Sequence, residues 1–387
     1  MSSDVLHLFE LICAVYLALS LGLLLLSAIA TLIQPTICAR RARWRETPPV
    51  SVVLPVKQFE EGFEAAQESA LAQTYPDYDV TAAATDPTSP AVAKIREIFA
   101  RHPERDARIL QSTARFAASP KVDNLYAPFM EARRDVIFMK DSNVLLDPGD
   151  LAEHMRHLAP DAGLVCGIPI AAGATNIAAE VEAGIINGPH GRVLFLASTL
   201  GQGFGVGKIM LFRRSDFLRA GGFDAIAHTV GEDNALAKSL EKIGLRCVFS
   251  HRQVRQILGR RAWRDVYQRQ LRWSVVRRAD ELFSFVLEPI CQASPAIVAA
   301  AGAAPLLGVS SCVAAGAAFS LWLMVETALS LAKGWRVSWT APAVFALREA
   351  LMLAVWLHAW TTTRVVWAND RIDARGAATP PSKTLEG

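Results

Sequence analysis

Charged and amide side chains follow directly after the apolar run 136–139 of the sequence. The run is too short for a buried helix and rich in residues that favour strands, which indicates a buried central strand. After it come Lys140, Asp141, Ser142 and Asn143. In an open α/β sheet, ligands bind in the crevice outside the carboxyl ends of the strands. Asp141 is therefore predicted to lie where a nucleotide would be held.

Asp141 and Asn143 offer oxygen ligands of the kind that Mg²⁺ or Mn²⁺ prefers when the ion bridges phosphates. These two residues form the predicted metal site. An amide binds a divalent cation less tightly than a carboxylate does, so Asp141 is expected to provide most of the binding. Residues of these types also occur in ordinary turns and caps after strands, and for the triplet taken alone that alternative stays open.

Two further acidic positions stand at the ends of predicted elements. Asp86 follows a predicted strand at 78–84, and Glu232 and Asp233 lie in the first turn of a helix predicted within 228–244. Acidic residues at a helix start are also favoured by the helix dipole, without any role in catalysis.

A basic motif comes later, where Arg269, Arg272 and Trp273 fall at i, i+3 and i+4 and so share one helix face. Two guanidinium groups on one face could clamp a diphosphate. The alternative is a basic amphipathic helix that lies on anionic lipid, and the two interpretations are compatible because a helix has several faces.

The elements that position these residues alternate between strands and helices, which is typical of a parallel, doubly wound α/β sheet. The first predicted strand ends next to Lys57. The predicted strands are 50–56, 78–84, 107–111, 136–139, 163–169, 208–212 and 246–250, and the predicted helices include 60–73, 91–99 and 124–132.

The glycine run 201–207 fits no phosphate-loop or dinucleotide fingerprint. It is interpreted as a flexible loop before a strand, with a wall of an acceptor pocket as the alternative.

Apolar segments with few or no charged residues indicate membrane spans at both ends of the chain. Residues 11–33 are long enough to cross a bilayer core, and Arg40, Arg41, Arg43 and Arg45 follow them. The positive-inside rule then puts the amino terminus outside and the next domain in the cytoplasm. Residues 296–332 suit a close pair or a re-entrant segment, and 342–366 are a further predicted span that contains Arg348 and Glu349.

Five regions follow from these features: a transmembrane anchor with its basic flank at 1–46, a catalytic domain at 47–258, an amphipathic interfacial region at 259–290, a membrane region at 291–370 and a disordered tail at 371–387. The formal net charge of +3 is too small to indicate nucleic-acid binding. The six cysteines are scattered, which supports neither a zinc site nor a disulfide framework.

Taken in order, Asp86, Asp141, Asp233 and the Arg269-Gln-Leu-Arg-Trp motif resemble the ceramide glucosyltransferase family. These are membrane-anchored inverting glycosyltransferases with a GT-A catalytic domain. The segment Ser119-Pro-Lys-Val-Asp-Asn is similar to the Pro-Lys-x-x-Asn segment of the family and brings in Lys121. The resemblance covers roughly residues 50–370.

The resemblance implies a UDP-sugar donor, most readily UDP-glucose, a divalent cation and a lipid acceptor with a free hydroxyl. It implies that Asp233 is the catalytic base. The donor would be bound by Asp86, Asp141, Lys57, Lys121, Arg269, Arg272 and Trp273. A bacterial inner membrane with a cytoplasmic catalytic domain is the expected location.

The acceptor stays open among ceramide, diacylglycerol and hopanoids, because apolar pockets have no short signature. A processive polysaccharide synthase shares these motifs, but it needs a membrane channel, and four or fewer spans are too few. A non-catalytic membrane scaffold, in which the acidic residues are only caps and turns, is the alternative from a different class.

Overall fold

The computed structural model describes residues 3–367 and 370–373. The chain divides into two compact units. The helical unit takes in the described residues of Met1–Gln34, Ala174–Leu196 and Arg261–Thr362, and the sheet unit those of Pro35–Gly173, Ala197–Arg260 and Thr363–Gly387.

The strands are β1 (Val50–Val56), β2 (Tyr78–Ala84), β3 (Ala107–Gln111), β4 (Val136–Lys140), β5 (Val144–Leu145), β6 (Ala162–Ala174), β7 (Ile209–Arg213), β8 (Arg246–Gly259), β9 (Arg364–Trp367) and β10 (Asp370–Asp373). The helices are α1 (Ser3–Arg41), α2 (Phe63–Leu71), α3 (Pro90–Ala100), α4 (Pro120–Met130), α5 (Asp150–Met155), α6 (Ile177–Ile185), α7 (Gly191–Thr199), α8 (Arg214–Arg219), α9 (Glu232–Lys242), α10 (Trp263–Asp280), α11 (Leu282–Leu287), α12 (Ala293–Ala303), α13 (Ser311–Ala332) and α14 (Ala341–Ala359).

The main sheet of the sheet unit has the strand order β3-β2-β1-β4-β7-β6-β8-β5. Strands β3, β2, β1 and β4 are parallel neighbours, with Val50 of β1 opposite both Tyr78 and Val136. β7 runs antiparallel to β4 and to β6, and β5 runs antiparallel to β8. The predicted α/β class is confirmed, with a sheet that is parallel from β3 to β4 and apolar helices toward both ends of the chain. The carboxyl ends of β1, β2 and β4 meet at one edge, as the site prediction requires.

Buried strands and covering helices form the core of the sheet unit. Val52 and Leu54 of β1 and Phe138 of β4 are fully buried, together with Ile95 of α3. Burial of each such side chain stabilises the fold by about 1.5–3 kcal/mol. Both faces of these strands are covered, which explains their continuous apolar runs.

Several elements of the sheet unit extend beyond their predicted bounds, among them α4, β6 and β8. α4 begins at Pro120 rather than at residue 124, because Ser119 is extended and proline is favoured at the first helical position. β8 continues to Gly259 instead of ending at residue 250. The predictions for β1, β2 and β3 match the observed bounds.

The helical unit contains an insertion from the middle of the chain, so the predicted catalytic domain at 47–258 is not continuous. Ala174–Leu196 belongs with the membrane-like helices instead. Val181 and Ile185 of α6 pack with Val344 and Met352 of α14. The apolar surface of α6 is therefore buried against a helix that lies far away in the sequence.

Within the described part of the chain, three helices are long and apolar enough to cross a membrane: Ser3–Arg41, Ser311–Ala332 and Ala341–Ala359. A bent pair, Leu282–Cys291 with Ala293–Leu307, would make a fourth if it forms one span. The predicted close pair at 296–332 corresponds to α12 and α13.

The predicted last span is shorter than 342–366, because α14 ends at Ala359 and Arg364–Trp367 forms β9. β9 pairs with Asp370–Asp373, so residues 371–373 are paired strand rather than tail. The remainder of the predicted tail, 374–387, lies outside the described residues.

The predicted amphipathic interfacial region at 259–290 contains α10 and α11, and its place at a membrane interface stays a prediction. α10 buries one face, but that face includes Gln270 and Ser274, so polar and apolar residues are poorly separated. Large exposed apolar side chains of this region include Trp263 of α10 and, in α11, Phe283 at 78% and Leu282 at 56% exposure.

Candidate active site

Asp141 lies directly after β4 with its carboxylate between two lysines. Its Oδ1 is 2.9 Å from Lys121 Nζ, and its Oδ2 is 3.0 Å from Lys208 Nζ. Burial raises the pKa of this carboxyl, but the two ammonium groups outweigh burial and hold the pKa at about 2. Asp141 is therefore ionised throughout the physiological range.

Lys121, in the first turn of α4, is the centre of the cluster. Besides Asp141, its Nζ lies 3.1 Å from Glu232 Oε1 and donates to the carbonyl of Gly207 at 3.1 Å. Burial lowers the pKa of Lys121, but the carboxylates of Asp141, Glu232 and Asp233 raise it above its ordinary value. The ammonium thus stays charged and connects the strand end to the start of α9.

Asp233, in the first turn of α9, has a carboxylate that two backbone amides orient. Gly207 N donates to its Oδ2 at 2.7 Å, and Asn234 N donates to its Oδ1 at 2.9 Å. Burial and the neighbouring Glu232 raise the pKa of Asp233 to about 6, although Lys121 acts in the opposite direction. A carboxylate with a pKa close to the working pH is suited to accept a proton.

The glycine run 201–207 is a loop before β7, as predicted, and three of its glycines lie close to neighbouring atoms. A Cβ at Gly205 would collide with the backbone of Asp233, and one at Gly203 with the carbonyl of Cys247. A Cβ at Gly207 would lie 3.1 Å from Asp233 Oδ2 and 3.2 Å from Lys121 Nζ. The absence of side chains lets this segment pass directly over the start of α9.

Asn143 lies beside Asp141, and both side chains accept a hydrogen bond from the ammonium group of Lys208. Lys208 Nζ donates to Asp141 Oδ2 at 3.0 Å and to Asn143 Oδ1 at 3.3 Å, and Asn143 Nδ2 donates to Glu60 Oε2 at 3.3 Å. An ammonium group thus occupies the gap between the two predicted metal ligands. Their oxygens fit a divalent cation held by one carboxylate and completed by donor phosphates. Among the described residues, no group of three or more His, Cys, Asp or Glu side chains could hold a metal ion by itself.

Lys140 stabilises the segment after β4 by hydrogen bonds to backbone carbonyls, and it is not itself one of the predicted site residues. Its fully buried Nζ donates to the carbonyls of Ala66 at 2.7 Å and Val144 at 2.9 Å. Burial lowers its pKa to about 7, while Asp141 acts in the opposite direction. These bonds tie the residues after β4 to α2.

Asp86 and Lys57 lie at the ends of β2 and β1, on the predicted edge of the sheet. The Oδ1 of Asp86 accepts from the backbone amide of Thr88 at 2.8 Å and from its hydroxyl at 2.6 Å. These bonds lower the pKa of Asp86, which is exposed. Asn124 donates to the carbonyls of Val56 and Ala83 and so joins these two strand ends. Donor binding by Asp86 and Lys57 stays a prediction.

Arg269, Arg272 and Trp273 belong to α10 in the helical unit. Arg269 Nη1 lies 2.7 Å from Oε1 of the fully buried Glu182, and Trp273 packs near His190 with 6.1 Å between ring centroids. The role of these residues at a donor diphosphate stays a prediction.

Sequence reasoning missed Lys208 as a site residue because it precedes β7 and belongs to no recognised motif. It also left open whether Arg348 and Glu349 lie at the membrane interface. Both are buried, with Arg348 Nη2 2.7 Å from Glu349 Oε1, and Glu326 accepts from Arg192 at 3.0 Å. A charge within an apolar helix indicates a buried partner, and Glu326, Arg348 and Glu349 each gave that signal.

The site and the helices together define a class, a membrane-associated α/β protein with a lysine–carboxylate centre at its strand ends. Residues 14–378 match the model of glycosyl transferase family 21, so the chain belongs to that family. The resemblance to ceramide glucosyltransferases is confirmed, and the chain is a glycosyltransferase and a membrane protein.

Ceramide glucosyltransferase 1 of Caenorhabditis elegans is 23% identical over 335 residues, which cover 84% of this chain and 71% of that protein. The ceramide glucosyltransferase of Candida albicans is 29% identical over 107 residues, 24% of this chain and 20% of the yeast protein. A mannosyltransferase of Pyrobaculum calidifontis, solved with GDP-Man and Mn²⁺, has a TM-score of 0.49 at 19% identity, covering 89% of this chain and 98% of that chain.

Proposed function

We propose that the protein transfers glucose from UDP-glucose to the hydroxyl of a membrane lipid, ceramide in the first place, with inversion at the sugar carbon. The observation that carries this proposal is the geometry of Asp233. Its carboxylate is fixed by two backbone amides and has a pKa of about 6 beside the cationic Lys121. It is thus largely ionised at neutral pH and still a useful base.

Asp233 would accept the proton of the acceptor hydroxyl while that oxygen attacks C1 of the sugar. Each carboxylate oxygen has a second lone pair beyond the one that a backbone amide occupies. Direct displacement from the face opposite the leaving UDP turns an α-linked donor into a β-linked product. The amide of Gly207 keeps the carboxylate in one orientation, which raises the effective concentration of the base.

The leaving UDP needs positive charge beside its diphosphate. Asp141 and Asn143 would hold a divalent cation, which when bound neutralises the diphosphate and improves it as a leaving group. Lys121 would remain in contact with Asp141 through Oδ1 and so hold the carboxylate in place. Arg269 and Arg272 are proposed to act on the same diphosphate, on the strength of the family motif.

The membrane helices and the family relationship support a lipid as acceptor. The expected orientation has the catalytic domain in the cytoplasm, because Arg40, Arg41, Arg43 and Arg45 follow the first span. A bacterial inner membrane is the proposed location.

Mass-spectrometric analysis of lipids from cells that express the chain tests the proposal. We expect a single hexose on ceramide with the wild type, none with Asp233→Asn, and an unchanged yield with the exposed control Asp224→Asn. UDP binding, measured by calorimetry, should survive in Asp233→Asn and weaken in Asp141→Ala. Hexosylated diacylglycerol or hopanoid would change only the acceptor, whereas a sugar polymer, or no glycolipid at all, would overturn the proposed function.

A further inference from the structure

We infer that Lys208 is a tethered cation that competes with the divalent cation for Asp141 and Asn143 and binds the donor diphosphate once that cation displaces it. The inference rests on the proposed function, since it assigns a role at the same donor site. It gives a role to a residue that belongs to none of the recognised motifs.

The first argument is position. The Nζ of Lys208 lies 3.0 Å from Asp141 Oδ2 and 3.3 Å from Asn143 Oδ1, the two oxygens predicted to bind a metal. Asn143 donates from its Nδ2 to Glu60, and this bond turns the amide oxygen toward the ammonium. The ammonium group and a divalent cation therefore need the same space.

The second argument is the difference between the two lysines. Lys121 also contacts Glu232 at 3.1 Å and the carbonyl of Gly207 at 3.1 Å, so it keeps these partners if Asp141 accepts a metal. The hydrogen bonds described above for the Lys208 ammonium are to the two predicted metal ligands. A metal bound to Asp141 Oδ2 and Asn143 Oδ1 takes the acceptors that Lys208 uses, whereas Lys121 contacts the other oxygen of Asp141, Oδ1.

The third argument is that the ammonium can move while the backbone stays in place. The backbone amide of Asp141 donates to the carbonyl of Lys208 at 3.1 Å, and the next residue, Ile209, pairs with Lys140 in the sheet. The four-carbon stem of a lysine reorients easily. An arriving divalent cation repels the ammonium, and a diphosphate on that cation offers it a new anionic partner close by.

Two titrations of the purified full-length protein test this inference. The first measures Mn²⁺ binding by electron paramagnetic resonance without nucleotide. We expect Lys208→Met to bind Mn²⁺ at least roughly tenfold more tightly than the wild type, because one competing positive charge is gone. Asp141 remains ionised in this variant because Lys121 still contacts it. The exposed Lys242→Met, which removes the same charge from the end of α9, should leave the affinity unchanged.

The second titration measures UDP binding at saturating Mn²⁺. Lys208→Met should bind UDP roughly tenfold more weakly, which is the usual effect of losing one hydrogen bond between charged groups. Lys208→Gln should give the same two changes, and it serves as the test if the methionine variant does not fold. Unchanged or weaker Mn²⁺ binding would overturn the competition, and unchanged UDP affinity would overturn the transfer to the diphosphate. Neither titration uses glycolipid formation, so failure here is distinct from failure of the proposed function.

Discussion

Replacing Glu232 by Gln should change the pH dependence of sugar transfer in a direction that the geometry fixes. Glu232 is 6% exposed, lies 3.1 Å from Lys121 and precedes the proposed base, Asp233. After burial, its negative charge is the main reason that the pKa of Asp233 is raised to about 6 from an ordinary value of 3.8. Without that charge, and with Lys121 released from Glu232, the pKa of Asp233 must fall.

The size of the change is bounded by the same values. Burial is the larger cause and is unaffected, so the pKa of Asp233 should stay above its ordinary value, and we expect a fall of roughly one unit, the effect of one nearby charge. At pH 5 about a tenth of the wild-type base would be ionised, but about half of the base in the variant. When the activity of each protein is expressed as a fraction of its own plateau at high pH, Glu232→Gln should therefore be about fivefold more active at pH 5 than the wild type.

Initial rates in detergent micelles, with UDP-glucose and a fluorescent short-chain ceramide, would measure this between about pH 4.5 and 8. The wild type should lose activity tenfold per pH unit below about pH 6, and Asp141, with a pKa of about 2, does not titrate in this window. Glu241→Gln is the matched control, because Glu241 is an exposed carboxylate of the same helix. A midpoint that stays in place or rises in Glu232→Gln would refute the assignment of Asp233 as the base.

Three further predictions follow from packing and burial. Gly207→Ala should lower the transfer rate at least roughly tenfold, since its Cβ would press on Asp233 and Lys121, whereas Gly149→Ala, with open space around it, should retain activity; equal rates for the two variants would contradict this. Glu182→Ala leaves Arg269 without its 2.7 Å partner and should reduce the free energy of unfolding by about 3–5 kcal/mol, measured by denaturant titration; an unchanged midpoint would show that the ion pair is dispensable. Burial, followed by the neighbouring His251, lowers the pKa of His157 in the folded protein to about 3, so this histidine binds a proton more readily when the protein is unfolded. The stability present above pH 6.5 should therefore be lost as the pH falls toward 3. A melting temperature that does not fall between pH 7.5 and about 4.5 would contradict this.

The parallel half of the sheet could be predicted from the sequence because its signals are local. β1, β2 and β3 are short apolar runs bounded by turn residues, and their ends agree with the prediction. Asp86 and Asp141 follow two of the parallel strands, so their common edge follows from topology alone. The antiparallel order around β7 has no comparable local signal, because strand direction depends on partners far along the chain.

The features that could not be predicted from the sequence depend on contacts between residues that lie far apart along the chain. Lys208 reaches Asp141 from a point 67 positions later, and no spacing rule connects them. The composition of the glycine run predicts a loop, but it does not reveal that Gly203 and Gly205 are required by close backbone approach. The insertion at Ala174–Leu196 joins the helical unit through the apolar contacts of α6 with α14, a pairing that periodicity within α6 cannot reveal.

The most direct test of the proposed mechanism is the anomeric configuration of the sugar in the product. Purified protein would be supplied with UDP-glucose and ceramide, and the glycolipid examined by proton NMR. A base at Asp233 that activates the acceptor for a single displacement predicts a β-linked glucose on the lipid, formed by the wild type and not by Asp233→Asn. An α-linked product, or a β-linked product that Asp233→Asn makes at the wild-type rate, would contradict it.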